Sequence, residues 1–265
     1  PITILQLLTH TSGLSHGLEE TLFDQQLFKL MYNELFDPAE YNDLKERVDK
    51  LMLVPLIGQP GEQWYYSAAP DILALILEKI TGQSIESYLK ENIFDPLSMN
   101  ETGYNVGLKQ QHRIMQVHFN LEDGTLVNSH VQVPPTGNTV YGGTHGLFSS
   151  TEDFLRFCQM ILNKGSFNDQ RLLKKETIDL MTKNHVGELI GPGRGFGLGF
   201  GVLYDTDKDP SPASTGQVYW GGYFKTHFFI DPKEDLIGII MTQKIPNTDE
   251  YIIELNRAVY GALSL

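Results

Sequence analysis

The spacing of apolar residues changes once along the chain, near residue 191. Before that point apolar residues mostly recur at helical intervals, as in residues 154–161, which read FLRFCQMI. From Phe196 onward they fall into short runs typical of strands, at residues 196–203, 217–220, 224–230 and 236–242. A terminal helix with Ile252, Val259 and Leu263 follows. The pattern predicts an α+β fold in which an antiparallel sheet flanked by helices adjoins a mostly helical region.

Turn residues divide this pattern into four parts. We expect a start of the helical region, a helical and acidic lid or insertion broken at Pro38, the rest of the helical region, and the sheet with its terminal helix. Their predicted bounds are residues 1–17, 18–58, 59–190 and 191–265. Residues 104–140 alternate polar and β-branched residues, so we expect short strands and loops there.

Composition limits the possible partners. The net charge of −13 repels polyanions, so nucleic acids and anionic membrane surfaces are not expected partners. No run approaches the roughly 18 apolar residues of a membrane span. The one cysteine, Cys158, lies in an apolar helical stripe and is predicted to be a core residue; it leaves open a periplasmic or a cytoplasmic location.

The first residues read as the cap of a short helix. Thr3 and Gln6 have the spacing of a capping box, and no element precedes them. We therefore expect the natural protein to have a further segment before Pro1, and we expect no signal peptide within the residues given.

A glycine-rich run and eight histidines could indicate a cofactor or a metal, but neither matches a known binding motif. The glycines of residues 191–201 fall at every second position and fit neither GxGxxG nor a P-loop, so a strand against backbone or a cleft floor is favoured. The eight histidines include no HExxH and no pair at helical spacing. No metal and no cofactor is expected, and His10 is predicted to hold a turn through hydrogen bonds.

A serine and a lysine at catalytic spacing occur at Ser87 and Lys90. In serine hydrolases this spacing places a lysine amine one helical turn from a serine hydroxyl that it can deprotonate. Here both residues fall on the face opposite to Ile85 and Leu89 and are predicted to point to solvent. They are not expected to be catalytic.

Two aromatic segments are better candidates for chemistry. Tyr66 lies in a loop that enters a helix, where its phenol can face a cleft; a buried aromatic with a satisfied hydroxyl is the alternative. Trp220, Gly221 and Gly222 end a strand, and Tyr223 follows. Two glycines let a ligand carbonyl approach backbone N–H groups, as an oxyanion hole requires, and a β-bulge explains them equally well.

Several segments, taken in order, resemble the serine β-lactamase-like and penicillin-binding-protein superfamily. Residues 3–14 read TILQLLTHTSGL, and residues 59–67 read QPGEQWYYS, like the block that carries the family's catalytic tyrosine. Residues 142–157 read GGTHGLFSSTEDFLRF, and the closing strands carry the remaining similarity. The resemblance spans essentially the whole chain and implies a β-lactamase/transpeptidase-like fold.

Two departures from the family pattern suggest a subgroup. Ala68 stands where β-lactamases and peptidases have Asn, and Trp220, Gly221 and Gly222 stand where they have Lys-Thr-Gly or His-x-Gly. These features resemble family VIII carboxylesterases, which hydrolyse small esters. The resemblance implies that Tyr66 takes part in proton transfer, that the Tyr223 N–H holds the oxyanion and that Trp220 walls the pocket for a small ester or amide.

The family's nucleophilic serine and its lysine precede the LLTHTSGL segment, so neither is within these residues, nor are the first strands of the sheet. We expect them on a preceding segment, and we expect an apolar seam where that segment or another subunit packs. An inactive or truncated binding module and a D-aminopeptidase, DD-peptidase or β-lactamase are the alternatives. A Ser-x-x-Lys upstream would decide for an enzyme.

Overall fold

The computed structural model divides into two compact units. It describes residues 1–17, 22–31, 41–131, 133–209, 211–245 and 250–263. The first unit comprises Pro1–Gln111 and Val133–Ser149, and the second comprises His112–Gln132 and Ser150–Leu265. The predicted break at Pro38 and two stretches of the predicted lid, residues 18–21 and 32–40, lie outside the described residues.

The first unit is mostly helical. Its helices are α1 (Ile4–Leu8), α2 (Leu22–Met31), α3 (Leu44–Leu51), α4 (Ala69–Thr81) and α5 (Ile85–Leu89), and a π-helical turn (Lys90–Phe94) continues α5. Thr3 and Gln6 form the predicted capping box at α1. Gly82 ends α4 in the left-handed region, at φ 72°, and Ser84 caps α5. Helix ends therefore fall where the sequence signals place them.

Helix α4 organises the core of this unit. Ile72 of α4 packs into three apolar clusters, one with Leu44 and Val48 of α3, one with Leu27 of α2, and one with Leu7 of α1. The described part of the predicted lid thus contains two helices, α2 and α3, which bury apolar residues against α4.

The second unit contains the sheet. Its helices are α6 (Thr151–Leu162), α7 (Lys175–Met181) and α8 (Glu250–Leu263). Its strands are β1 (His118–Asn120), β2 (Leu126–Asn128), β3 (Ser166–Phe167), β4 (Gln170–Arg171), β5 (Arg194–Phe196), β6 (Gly201–Leu203), β7 (Val218–Gly221), β8 (His227–Asp231), β9 (Leu236–Ile240) and β10 (Lys244–Ile245). Strands β5 to β9 form one antiparallel sheet in sequence order; β10, β1 and β2 form a small sheet, and β3 pairs with β4.

Helices cover both faces of the five-stranded sheet. Successive residues of a strand point to opposite faces. Accordingly, the Phe228 ring meets Phe154 of α6 at 5.0 Å between ring centroids, whereas the Phe229 ring meets Tyr260 of α8 at 5.7 Å. Strand β8 is buried along its whole length because it is covered on both sides. The predicted α+β class, with a helix-flanked antiparallel sheet, is confirmed.

Two predicted strands are wrong in extent. The strand predicted over residues 224–230 begins only at His227, because residues 224–226 lie in the turn before it. Residues 196–203 were expected to form a single strand, but β5 and β6 pair with each other and a turn joins them. Gly199 has φ 93°, and a Cβ on Gly197 would lie 2.1 Å from the carbonyl oxygen of Met181. The alternating glycines thus allow a turn and a close approach of backbone rather than continuous extension.

Two further expectations can be compared with the described residues. Cys158 is fully buried in α6, as predicted, and burial raises the pKa of its thiol to about 12. Over the ranges that the structure describes, no helix is both long and apolar enough to cross a bilayer.

Candidate active site

Backbone hydrogen bonds join the segment after α1 to the loop before α4. The Tyr65 N–H donates to the His10 carbonyl at 2.9 Å, and the Ala68 N–H donates to the Ser15 carbonyl at 3.1 Å. Gly13 permits this approach, because a Cβ there would lie 2.2 Å from the Gly58 carbonyl oxygen and its φ is 80°. Two motifs about fifty residues apart in sequence therefore lie side by side.

His10 fixes this junction through its side chain. The residue has φ 55°, and its buried Nδ1 accepts the Ser67 N–H at 3.2 Å and lies 3.0 Å from the Ser67 hydroxyl oxygen. Because Nδ1 accepts a backbone proton, the neutral ring carries its own proton on Nε2. The prediction that His10 holds a turn is confirmed.

Tyr66 lies within an aromatic cluster, which we define as His10, His16, Trp64 and Tyr66. The half-buried Tyr66 ring is 4.8 Å from the His10 ring, 5.1 Å from the His16 ring and 6.3 Å from the Trp64 ring, between centroids. The His16 and Tyr66 ring planes differ by only 11°. The sequence placed Tyr66 in a loop entering a helix, as observed, but it gave no indication of His16.

Both histidines of the cluster are neutral at neutral pH. Burial, and then the nearby His16, lowers the pKa of His10 to about 4. Burial also lowers the pKa of His16 below its usual value. A phenol acts as a base near neutral pH only beside a cation. Neither imidazole of the cluster supplies such a cation.

A buried ion pair that the sequence analysis did not identify supports the start of α4. Arg47 of α3 and Asp71 of α4 are 2 % and 0 % exposed, and Arg47 Nε donates to Asp71 Oδ2 at 2.8 Å. Asp71 Oδ1 accepts the Thr144 N–H at 2.9 Å. The available sequence signal was an arginine on the apolar side of an amphipathic helix, next to Val48 and Leu51.

The second predicted group lies at the end of β7, in the second unit. Trp220 pairs with Phe228 and Gly221 with His227 in unbroken antiparallel register, so a β-bulge is not what requires the glycines. The Gly222 N–H donates to the Thr226 carbonyl at 2.8 Å, which closes a tight turn between β7 and β8.

Close contacts within this turn explain both glycines. A Cβ on Gly221 would lie 2.9 Å from the Thr226 carbonyl oxygen, and one on Gly222 would lie 2.4 Å from Thr226 Oγ1. The Thr242 hydroxyl donates to the carbonyls of residues 224 and 225, at 2.9 and 2.8 Å, and holds the other side of the turn. The turn is therefore shaped by backbone contacts together with the hydroxyls of Thr226 and Thr242.

The aromatic residues on either side of the glycines differ in exposure. The half-buried Trp220 ring meets the buried Phe196 ring edge-on, at 5.0 Å between centroids. The Tyr223 side chain is 48 % exposed and meets Phe224 edge-on at 5.3 Å. Trp220 thus has a fixed position, as a pocket wall requires.

The serine and lysine at catalytic spacing are exposed, as predicted. The Ser87 hydroxyl accepts from Ser84 Oγ at 3.0 Å, and Lys90 pairs with Asp95. No group of three or more potential metal ligands occurs among the residues for which the structure gives positions.

The fold and these motif regions define a serine hydrolase of the β-lactamase-like class. The chain belongs to the beta-lactamase family, whose model matches residues 1–260. It is 30 % identical over its whole length to Protein Rv1367c of Mycobacterium tuberculosis (strain ATCC 25618 / H37Rv) and covers 67 % of that protein. It is 28 % identical to Esterase EstB of Burkholderia gladioli, where the match covers 91 % of this chain and 64 % of the esterase.

A solved structure shows the same fold. EstCE1, described as a hydrolase with promiscuous acyltransferase activity, superposes with a TM-score of 0.87 at 23 % identity, over 98 % of this chain and 72 % of that protein. The predicted β-lactamase/transpeptidase-like fold is therefore confirmed. The chain spans about two thirds of the length of the two relatives named above.

Proposed function

We propose that this chain forms the body of a carboxylesterase that hydrolyses small esters through an acyl-enzyme. The observation that carries the proposal is the bonding of the His10 segment to the Tyr66 loop, which holds a phenol in a cluster of neutral aromatic rings. The 28 % identity to an esterase over 91 % of this chain supports the same reaction class.

In the proposed reaction, a serine on a segment outside residues 1–265 attacks the ester carbonyl carbon. The serine proton passes to the base formed by an adjacent lysine and Tyr66, and then to the departing alcohol. Water next attacks the acyl carbon, gives up a proton to the same base and releases the acid, and the serine regains its proton. The lysine supplies the cation that the neutral His10 and His16 do not.

The turn after β7 has the proposed role of stabilising the oxyanion. The Tyr223 N–H, together with the N–H of the nucleophile, donates to the carbonyl oxygen as negative charge develops there. Trp220, held against Phe196, forms a wall for the substrate. The predicted lid, whose described helices are α2 and α3, shapes the acyl or alcohol site.

Two side chains favour esters over β-lactams and peptides. Ala68, only 1 % exposed, offers no side-chain amide where the β-lactamases and peptidases of the family have Asn. Trp220 stands where they carry a cation. The proposed substrate is therefore a small neutral ester rather than a β-lactam, which those enzymes bind through the Asn and the cation.

The experiment compares p-nitrophenyl butyrate hydrolysis by the full-length protein and two variants. Tyr66→Phe removes the phenol hydroxyl from the aromatic cluster, whereas Tyr65→Phe removes one from the adjacent residue of the same loop. We expect kcat to fall about 10²- to 10⁴-fold in Tyr66→Phe and to stay close to wild type in Tyr65→Phe.

Other results would support the alternatives. Equal losses in both variants, with native folding by circular dichroism, would contradict the role of Tyr66. Absence of turnover in the wild type would favour an inactive binding module. Covalent labelling by a fluorescent penicillin, without ester turnover, would favour a peptidase or β-lactamase.

A further inference from the structure

His16 makes the most parallel ring contact of the aromatic cluster and has no role in the proposed mechanism. Its ring plane lies within 11° of the Tyr66 plane, with centroids 5.1 Å apart. This is the range of offset-stacked rings, which contribute beyond the area that they bury. The contact places His16 next to the proposed proton-transfer group.

The backbone holds His16 in this position. The preceding Ser15 accepts the Ala68 N–H through its carbonyl, and the Gly17 N–H donates to Ser15 Oγ at 2.9 Å. These bonds fix the residue before and the residue after His16 relative to the Tyr66 loop. The imidazole is therefore presented to the phenol by a braced segment rather than by a free loop.

The imidazole contributes its flat surface rather than a hydrogen bond at Nδ1. His16 Nδ1 is buried, and no other residue among those described supplies a hydrogen-bond partner for it. A buried polar atom without a partner is costly, whereas a carbocyclic ring of similar size would stack without that cost. A phenylalanine at this position should therefore reproduce the contact.

The surroundings of His16 keep its ring uncharged. Burial has the largest effect on its pKa and lowers it, and Arg47 acts in the same direction. A hydrogen bond of the ring to the backbone of His16 itself, and then Asp71, act in the opposite direction and raise this pKa. His10 and His145 are the other titratable groups that interact electrostatically with His16. Protonation would place a second cation near Arg47, so a charged ring is disfavoured in this place.

We infer that His16 is a positioning residue for the proposed reaction: its neutral ring stacks on the Tyr66 ring and holds the phenol in the orientation needed for proton transfer. The inference rests on the proposed function. His16 touches neither substrate nor nucleophile in this role, so its loss should affect the chemical step rather than substrate binding.

The test uses the full-length protein and three variants. His16→Ala removes the stacked ring, His16→Phe keeps a flat ring that does not titrate, and His130→Ala removes an exposed imidazole as a control. With p-nitrophenyl butyrate, we expect kcat to fall about 10- to 100-fold in His16→Ala with KM unchanged. His16→Phe should restore most of kcat. Because phenylalanine does not titrate, this variant should also retain its kcat to a lower pH than the wild type does.

A spectroscopic measurement separates this inference from the proposed function. A ring stacked on Tyr66 shifts the NMR signals of the Tyr66 ring protons upfield. These signals are assigned by their disappearance in the spectrum of Tyr66→Phe. The upfield shift should persist in His16→Phe and collapse in His16→Ala, whether or not the protein hydrolyses esters.

Three results would overturn the inference. The first is a wild-type kcat in His16→Ala. The second is an equal loss of kcat in both His16 variants with unchanged thermal unfolding. The third is an NMR shift of the Tyr66 ring protons that does not depend on residue 16. Absence of ester turnover with the expected Tyr66 shifts would reject the proposed function and retain the stacking.

Discussion

Tyr66 is held by side chains that arrive from separate stretches of sequence, whereas the turn after Trp220 is shaped mostly by contacts within one hairpin, with the Thr242 hydroxyl bonded to it from outside. Around Tyr66, rings from positions 10, 16 and 64 meet, and the ion pair of Arg47 with Asp71 supports the helix that follows. In the turn, the decisive contacts of Gly221 and Gly222 are with Thr226.

This difference determines what each region tolerates. A region assembled from buried polar side chains is sensitive to their charge state and to loss of any partner. A region built from backbone tolerates changes of exposed side chains but not an added Cβ at a close contact. Substitutions in the two regions therefore test this contrast.

Breaking the buried ion pair should have the largest effect. Arg47→Ala leaves the Asp71 carboxylate buried without its partner, so we expect the free energy of unfolding to fall by about 3 to 5 kcal/mol. Lys45→Ala is the matched control, because the Lys45–Asp49 pair lies on the same helix with side chains 56 % and 60 % exposed. Urea unfolding of the full-length protein measures the free energy of unfolding of both variants. Equal losses would show that burial does not determine how much the Arg47–Asp71 pair contributes to stability.

Acid should weaken the region around Tyr66 through His10. Its pKa of about 4 in the folded protein is below the ordinary histidine value of 6.5, so the unfolded chain takes up the proton first as pH falls. His10 therefore contributes stability above pH 6.5 that is lost progressively toward pH 4, on the order of 3 kcal/mol.

His10→Asn should flatten this pH dependence, because Asn Oδ1 can accept the Ser67 N–H but does not titrate. The measurement is the free energy of unfolding between pH 7 and pH 4, with His130→Asn as an exposed control. An unchanged slope in His10→Asn would contradict the assignment of this acid sensitivity to His10.

An added methyl group should disturb the turn after β7. Gly221→Ala forces its Cβ against the Thr226 carbonyl oxygen, so the turn must shift, and we expect kcat to fall by about 10²-fold. The control is Gly261→Ala in α8, where an added Cβ meets nothing within 4 Å. Wild-type kcat in Gly221→Ala would mean that the turn does not hold the oxyanion.

The smallest effect is expected for the side chain of Tyr223. Its proposed role uses the backbone N–H, and the ring is exposed, so Tyr223→Ala should leave kcat close to wild type. A large loss of kcat with unchanged KM would show that the side chain itself takes part in the reaction.

The sequence predicted the elements whose signals are local. The capping box of Thr3 and Gln6, the burial of Cys158 and the exposure of Ser87 each follow from the spacing of neighbouring residues. The division of residues 196–203 into two strands was missed, because alternating glycines and apolar residues fit a continuous strand as well as a hairpin.

The arrangement around Tyr66 was not predictable from local patterns. His16 meets Tyr66 across fifty residues, and Arg47 meets Asp71 across twenty-four, through contacts that only tertiary packing creates. Resemblance to a family pointed to Tyr66 and to the turn after Trp220, but it carried no signal for residue 16 or residue 47. The predicted domain bounds remain predictions, and the experiments above test the predicted catalytic roles.

The most direct test of the central claim is to identify the acylated residue. The full-length protein and its Tyr66→Phe variant are each mixed with p-nitrophenyl butyrate and quenched in acid during turnover. The intact mass of each protein is measured by mass spectrometry, and a protease digest then maps the modified peptide. The account predicts one butyryl group on the serine of a Ser-x-x-Lys sequence outside residues 1–265. Butyrylation of Ser87, or ester turnover with no butyryl adduct in either protein, would contradict it.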